Sequence, residues 1–166
     1  GAKNILEKGL FLNRKGEFIN HYPPLYSYSA SLISYVTSLS IQHSFWVLNA
    51  TIAGVSCFFA SAIAYRQTKK MGLSYLFGLF VLTSSYSLIY FWNLTEGLFS
   101  MILWFQLFIW SIWNDKNSKG LTILLGVTSA LLLLTRFAGV PFFLINLLFV
   151  WFRTKKQNWL NSLYYI

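Results

Sequence analysis

The sequence predicts an all-α, polytopic helical membrane protein with about five transmembrane helices, a surface helix and a short interfacial or re-entrant helix. Three observations carry that expectation. Of the 166 residues, 56% are hydrophobic, 20% aromatic and only 10% charged, a balance foreign to a soluble domain. The charges are clustered, so long uncharged runs separate them, several approaching the roughly 20 residues that cross about 30 Å of hydrocarbon. Finally, the excess of 13 Lys and Arg over 4 Asp and Glu falls at the ends of those runs. Basic residues placed there set topology, and the pattern argues against a nucleic-acid partner.

Taken in order, residues 2–8, AKNILEK, form a short helix with Ile5 and Leu6 on one face and Lys3, Glu7 and Lys8 on others. Gly9 ends it in a left-handed conformation. Such a helix is too short and too charged to span, and lies on the membrane surface. NRKGE, residues 13–17, is a polar turn. Pro23 and Pro24 then open a helix over residues 25–39, because the missing proline N–H has no partner in a first turn anyway. At 1.5 Å per residue that helix reaches only about 22 Å.

Five longer apolar segments follow at residues 45–65, 73–92, 97–113, 121–134 and 140–152. Residues 1–44 thus form part of a first external loop, carrying the surface and Pro-Pro helices, and residues 45–166 form the transmembrane bundle. There is no signal peptide, and NWLNSLYYI at the end reads as the start of another apolar segment, so the expectation is a piece of a longer polytopic protein, truncated at both ends.

Three basic clusters orient the bundle: Arg66, Lys69 and Lys70; Lys116 and Lys119; and Arg153, Lys155 and Lys156. If all are cytoplasmic, the loops at residues 40–44, 91–99 and 134–141 are external. The helix over residues 25–39 is then either interfacial or re-entrant with both ends outside, or it spans and leaves the N-terminal segment cytoplasmic. Its short length favours the first, which brings His21, Tyr22, Glu96 and Arg136 to one external face.

A charge near membrane level carries an insertion cost of about 2.5 to 3.5 kcal/mol at a helix centre, less toward the interface, so such residues are candidates for function. Glu96 could pair with Arg136 or bind a polar substrate; it could equally serve as an anion at the positive end of a helix. Arg136 carries a planar fork suited to phosphate or carboxylate, against the competing reading of an arginine snorkelling to lipid headgroups. His21 and Tyr22 could hydrogen-bond a sugar or phosphate, although tyrosine is enriched at the interface in any case. His43 reads as an interfacial polar residue. The sequon at Asn93 lies too near the predicted bilayer for glycosylation. Cys57 stands alone, which excludes an internal disulfide and a cysteine metal site. No phosphate loop, HExxH, GxSxG or carboxylate pair is present.

In this order, GAKNILEKG, HYPPLYSYSASLIS, TEGLFSMILWF and LLLLTRFAGVPFFLINLLFVW resemble the N-terminal membrane half of GT-C glycosyltransferases, in particular the protein-mannosyltransferase and aminoarabinose-transferase type of family 39. The resemblance implies a multi-pass protein of the plasma membrane that takes a sugar from a polyprenyl-phosphate donor and transfers it to a lipid, protein or glycan acceptor on the extracytoplasmic side. It places the catalytic carboxylate upstream of Gly1, so the catalytic residue is unknown within this chain and the fragment alone is expected to be inactive. Pro23, Pro24 and Leu25 would shape the loop beside the active site, Glu96 would match an acidic position at the head of its helix, and Arg136 a basic position facing the lipid-linked phosphate. The chain departs from the pattern at Phe137 and Ala138, where relatives often carry Gly or Pro. The cofactor stays open, with a divalent metal in the complete enzyme as one option. Two other classes compete: a transporter or lipid flippase with Glu96 and Arg136 along its pathway, and a structural membrane subunit without chemistry.

Overall fold

The computed structural model describes residues 2–12, 15–17, 24–83, 94–116, 118–136 and 138–163, of which the side chains at 94, 95, 114–116 and 153–163 are not described. Among these residues the chain is all-α, with seven helices and no strand. They are α1 (Ala2–Lys8), α2 (Leu25–Thr37), α3 (Ile41–Thr68), α4 (Met71–Thr83), α5 (Leu94–Lys116), α6 (Lys119–Thr135) and α7 (Gly139–Leu163). Helix α3 packs on both α4 and α5, α5 on α6, and α6 on α7, while α2 lies against α3 and carries α1.

Local chemistry explains most of the boundaries. Gly9 ends α1 with φ 67, and its N–H donates to the Ile5 carbonyl at 2.9 Å. Pro24 occupies the N-cap of α2, and its carbonyl accepts the Tyr28 N–H at 3.0 Å. Ser38 and Lys69, both left-handed, stop α2 and α3.

One boundary differs from expectation. The residues read from sequence as a loop at 40–44 are the first turn of α3 instead, because Ser40 caps it. Its Oγ accepts the His43 N–H at 3.3 Å and lies 2.8 Å from His43 Nδ1. His43 is therefore absorbed into the cap, with its ring edge-on to Trp46 at 5.0 Å. The segment expected at 73–92 is described as helix only through Thr83; residues 84–93 lie outside the described part.

Two helices, Ile41–Thr68 and the Glu96–Trp113 stretch of α5, are long and apolar enough to cross a membrane; Met71–Thr83, Lys119–Thr135 and Gly139–Phe152 are shorter apolar helices. Apolar side chains form the core, yet many others face outward while several polar ones are buried between helices. Leu73, Leu76, Phe80, Leu144 and Leu148 are exposed, whereas Ser44, Ser74, Gln106, Thr128, Ser129 and Asn146 are buried. Small and polar residues between helices allow close approach and hydrogen bonding, an arrangement consistent with a membrane bundle. At Gly78 an added Cβ would overlap Ser61 Oγ, and nearby Ser74 Oγ donates to the Ser61 carbonyl at 2.6 Å, so α3 and α4 meet through glycine and serine.

Candidate functional site

Aromatic contacts fix how the helices run. Phe59 of α3 meets Phe105 and Phe108 of α5 at 4.8 and 5.3 Å, and Arg66 Nη2 donates to the Ser111 carbonyl at 3.0 Å, so α3 and α5 are parallel. Phe99 pairs with Phe142 at 5.9 Å and Trp110 with Phe149 at 5.1 Å, so α5 and α7 are parallel too. The start of α5, the end of α6 and the start of α7 consequently share one end of the bundle. Lys69, Lys70 and Lys119 are exposed at the other end.

At the first end Glu96 stands in the opening turn of α5, where a carboxylate meets the positive end of the helix dipole. Arg136 terminates α6 in an extended conformation, its N–H still donating to the Leu132 carbonyl at 3.1 Å. Its own carbonyl accepts the Gly139 N–H at 2.9 Å, which turns the chain into α7. Glycine is required there: a Cβ at residue 139 would stand 2.6 Å from the Leu132 carbonyl carbon and oxygen. Gly139 thus supplies the tight turn for which Phe137 and Ala138 carry no signal.

This turn delivers the guanidinium to α5. Arg136 Nη1 donates to Glu96 Oε1 at 2.6 Å, with 47% of the arginine side chain and 24% of the glutamate side chain exposed. Among the described residues, that is the only bond the guanidinium makes, which uses one of its five donors. The remaining donors form a fork that can accept an anion from the exposed side.

An apolar cluster of Leu98, Ile102, Leu132, Leu48, Ile52, Ala30 and Tyr26 supports the pair from below. Tyr26 anchors α2 there. It stacks on Phe45 at 5.3 Å and its hydroxyl donates to Asn49 Oδ1 at 2.8 Å. Burial pushes the Tyr26 phenol up to about 12. Helix α1 is tied on in turn, since Ser31 Oγ shares its proton between the Ser27 carbonyl at 2.7 Å and the Ala2 carbonyl at 2.9 Å.

Of the six residues singled out for substrate binding, the structure brings Glu96 and Arg136 into contact and sets Pro24 at the N-cap of α2. His21, Tyr22 and Pro23 lie outside the described residues. Glu7 pairs with Lys3 at 3.7 Å on the exposed face of α1. Among the described residues no group of three His, Cys, Asp or Glu side chains could hold a metal ion.

Sequence reasoning weighed charges and passed over the uncharged polar groups that the fold buries. Tyr26 with Asn49, and Gln106, Ser129 and Asn146 within the bundle, are the chief examples. A lone amide within an apolar run was the available signal. No protein-family model, curated protein or solved structure matches the chain, so a functional reading must come from these residues.

Proposed function

We propose that the chain is part of a multi-pass plasma-membrane glycosyltransferase of the GT-C kind, which transfers a sugar from a polyprenyl-phosphate donor to a lipid, protein or glycan acceptor on the extracytoplasmic side. The observation that carries this reading is the half-exposed Arg136 fork, held by Glu96 at the bundle end opposite Lys69, Lys70 and Lys119. Positive charge at a cytoplasmic face leaves the Arg136 end outside.

In this reading five helices, α3 to α7, cross the bilayer. Helix α3 has 28 residues, so it is about 42 Å long against about 30 Å of hydrocarbon. Its parallel pairing with α5 leaves its first two turns beyond the level of Glu96, and Tyr26 of α2 packs on that overhang through Phe45 and Asn49. Helix α2, with 13 residues, is then an interfacial element beside the site.

Arg136 would neutralise charge that grows on the polyprenyl phosphate as its bond to the anomeric carbon breaks, and Glu96 would hold the guanidinium in place. Sugar transfer by the full-length protein in lipid nanodiscs, assayed with polyprenyl-phosphate hexoses and pentoses, tests the reading. Arg136→Ala should lower turnover by about 100-fold or more, and Arg136→Lys should restore part of it. Unchanged turnover in Arg136→Ala would remove the phosphate role.

A further inference from the structure

Midway along the bundle, between the apolar cluster under Arg136 and a second one around Ile109, Trp113 and Leu125, three helices contribute buried polar groups. Gln106 of α5 is 2% exposed, Asn146 of α7 is 5% exposed, and Thr128 and Ser129 of α6 are 1% exposed. Beside them Gln106 Oε1, Asn146 Oδ1 and the indole Nε1 of Trp110 are buried with no hydrogen-bond partner among the described residues.

The orientation of Asn146 follows from its neighbour. Ser129 Oγ donates its one proton to the Leu125 carbonyl at 2.7 Å, so toward Asn146 it can only accept. Asn146 Nδ2 donates to it at 2.5 Å, which turns Oδ1 the other way as an acceptor in need of a donor. Gln106 and Trp110 are four residues apart and share a face of α5. The Trp110 ring lies 5.1 Å from that of Phe149, which is three residues beyond Asn146 on the parallel helix α7. Helical side chains lean toward the N-terminus, so Trp110 and Phe149 both lean back over the turn holding Gln106 and Asn146. The three unmatched atoms therefore gather within one helical turn.

Gln106 Nε2 is not among the unmatched buried atoms, so two acceptors and one donor are what an occupant would have to satisfy. The indole can satisfy one amide oxygen at most, which leaves the other stranded. An alcohol brings one O–H and fails the same way, a cation cannot accept from the indole, and an anion cannot donate to the amides. A water molecule donates twice and accepts once, matching the usual three bonds of a buried water. We propose that Gln106, Trp110 and Asn146 form a binding site for a single ordered water in the middle of the bundle. That water links α5 to α7 while Ser129 links α7 to α6, and so it fixes the relative depth of the helices whose ends carry Glu96 and Arg136. The inference stands whether or not the chain transfers sugars.

Radiolytic hydroxyl footprinting in lipid nanodiscs tests it, since a bound water split in place oxidises the side chain touching it. Trp113 sets the floor: it is 1% exposed and its Nε1 donates to Thr122 Oγ1 at 2.9 Å, whereas Trp110 is partly exposed, so the water's share is the Trp110 oxidation that the variants below remove. In the wild-type full-length protein Trp110 should be oxidised several-fold faster than Trp113, and its label should acquire oxygen-18 slowly after transfer into isotopic water. Asn146→Leu and Gln106→Leu should each reduce Trp110 oxidation toward the Trp113 level. Equal rates for the two indoles in the wild-type protein would overturn the site without recourse to any variant, as would unaltered Trp110 oxidation in a folded Asn146→Leu protein.

Discussion

Two arginines, one at each end of the bundle, do opposite things with the same chemistry. Arg66, in the last turn of α3, turns inward and donates to the Ser111 carbonyl of α5, cross-linking two helices through a backbone group. Arg136, at the end of α6, turns to a carboxylate on α5 and keeps 47% of its side chain exposed. A carbonyl oxygen cannot be displaced by an incoming anion without losing the helix contact, whereas a partly exposed carboxylate can share its guanidinium with a phosphate. One arginine is therefore suited to structure and the other to binding.

The contrast predicts its sharpest effect in activity. Exchanging the partners, Glu96→Arg with Arg136→Glu, preserves an ion pair but moves the cation onto α5. Sugar transfer should fall by about 100-fold or more, as in Arg136→Ala, because the cation's position matters and not the pair itself. Thermal denaturation of the same proteins should change little, since a partly exposed ion pair contributes at most about 1 kcal/mol. Retained transfer in the exchanged protein would make the pair a structural clasp like that of Arg66.

Stability effects come next in size. Gly139→Ala drives a Cβ into the Leu132 backbone, which cannot move aside as a flexible side chain could, and should destabilise by about 1–3 kcal/mol, read from a denaturant titration. Because that turn carries Arg136, anion binding should weaken with it. Arg66→Ala should cost about 1–2 kcal/mol while leaving transfer intact, the reverse of the Arg136 result.

The smallest effect concerns Tyr26. Its raised value means the buried phenol stays protonated while the unfolded chain ionises near 10, so its contribution to stability is complete below pH 10 and is lost as pH rises toward about 12. Tyr26→Phe should remove that alkaline loss. At neutral pH it should destabilise by about 1 kcal/mol through the bond to Asn49.

The two ends also differ in how far the sequence disclosed them. Clusters such as Arg66, Lys69 and Lys70 were visible because charge interrupts apolar runs, and Pro24 and Gly9 marked helix ends through backbone rules that need no tertiary partner. The meeting of Glu96 and Arg136 followed from hairpin parity, given the basic clusters. Helix α3 was read too short because the polar stretch at residues 40–44 looks like a loop until Ser40 is seen to cap it. Gln106 and Asn146 escaped notice for a different reason. In an apolar run nearly every face is hydrophobic, so periodicity does not tell an inward amide from an outward one, and only the pairing of α5 with α7 shows where they point.

The central claim is that the Arg136 end and the lysine end lie on opposite sides of a membrane, with Arg136 outside. Ala138 and Gly120 are exposed at the respective ends. With Cys57 replaced by alanine, single cysteines at these positions can be probed on intact cells with an impermeant maleimide. Ala138→Cys should label from outside, and Gly120→Cys should label only after permeabilisation. The reverse pattern, or labelling of both from the same side, would contradict the account.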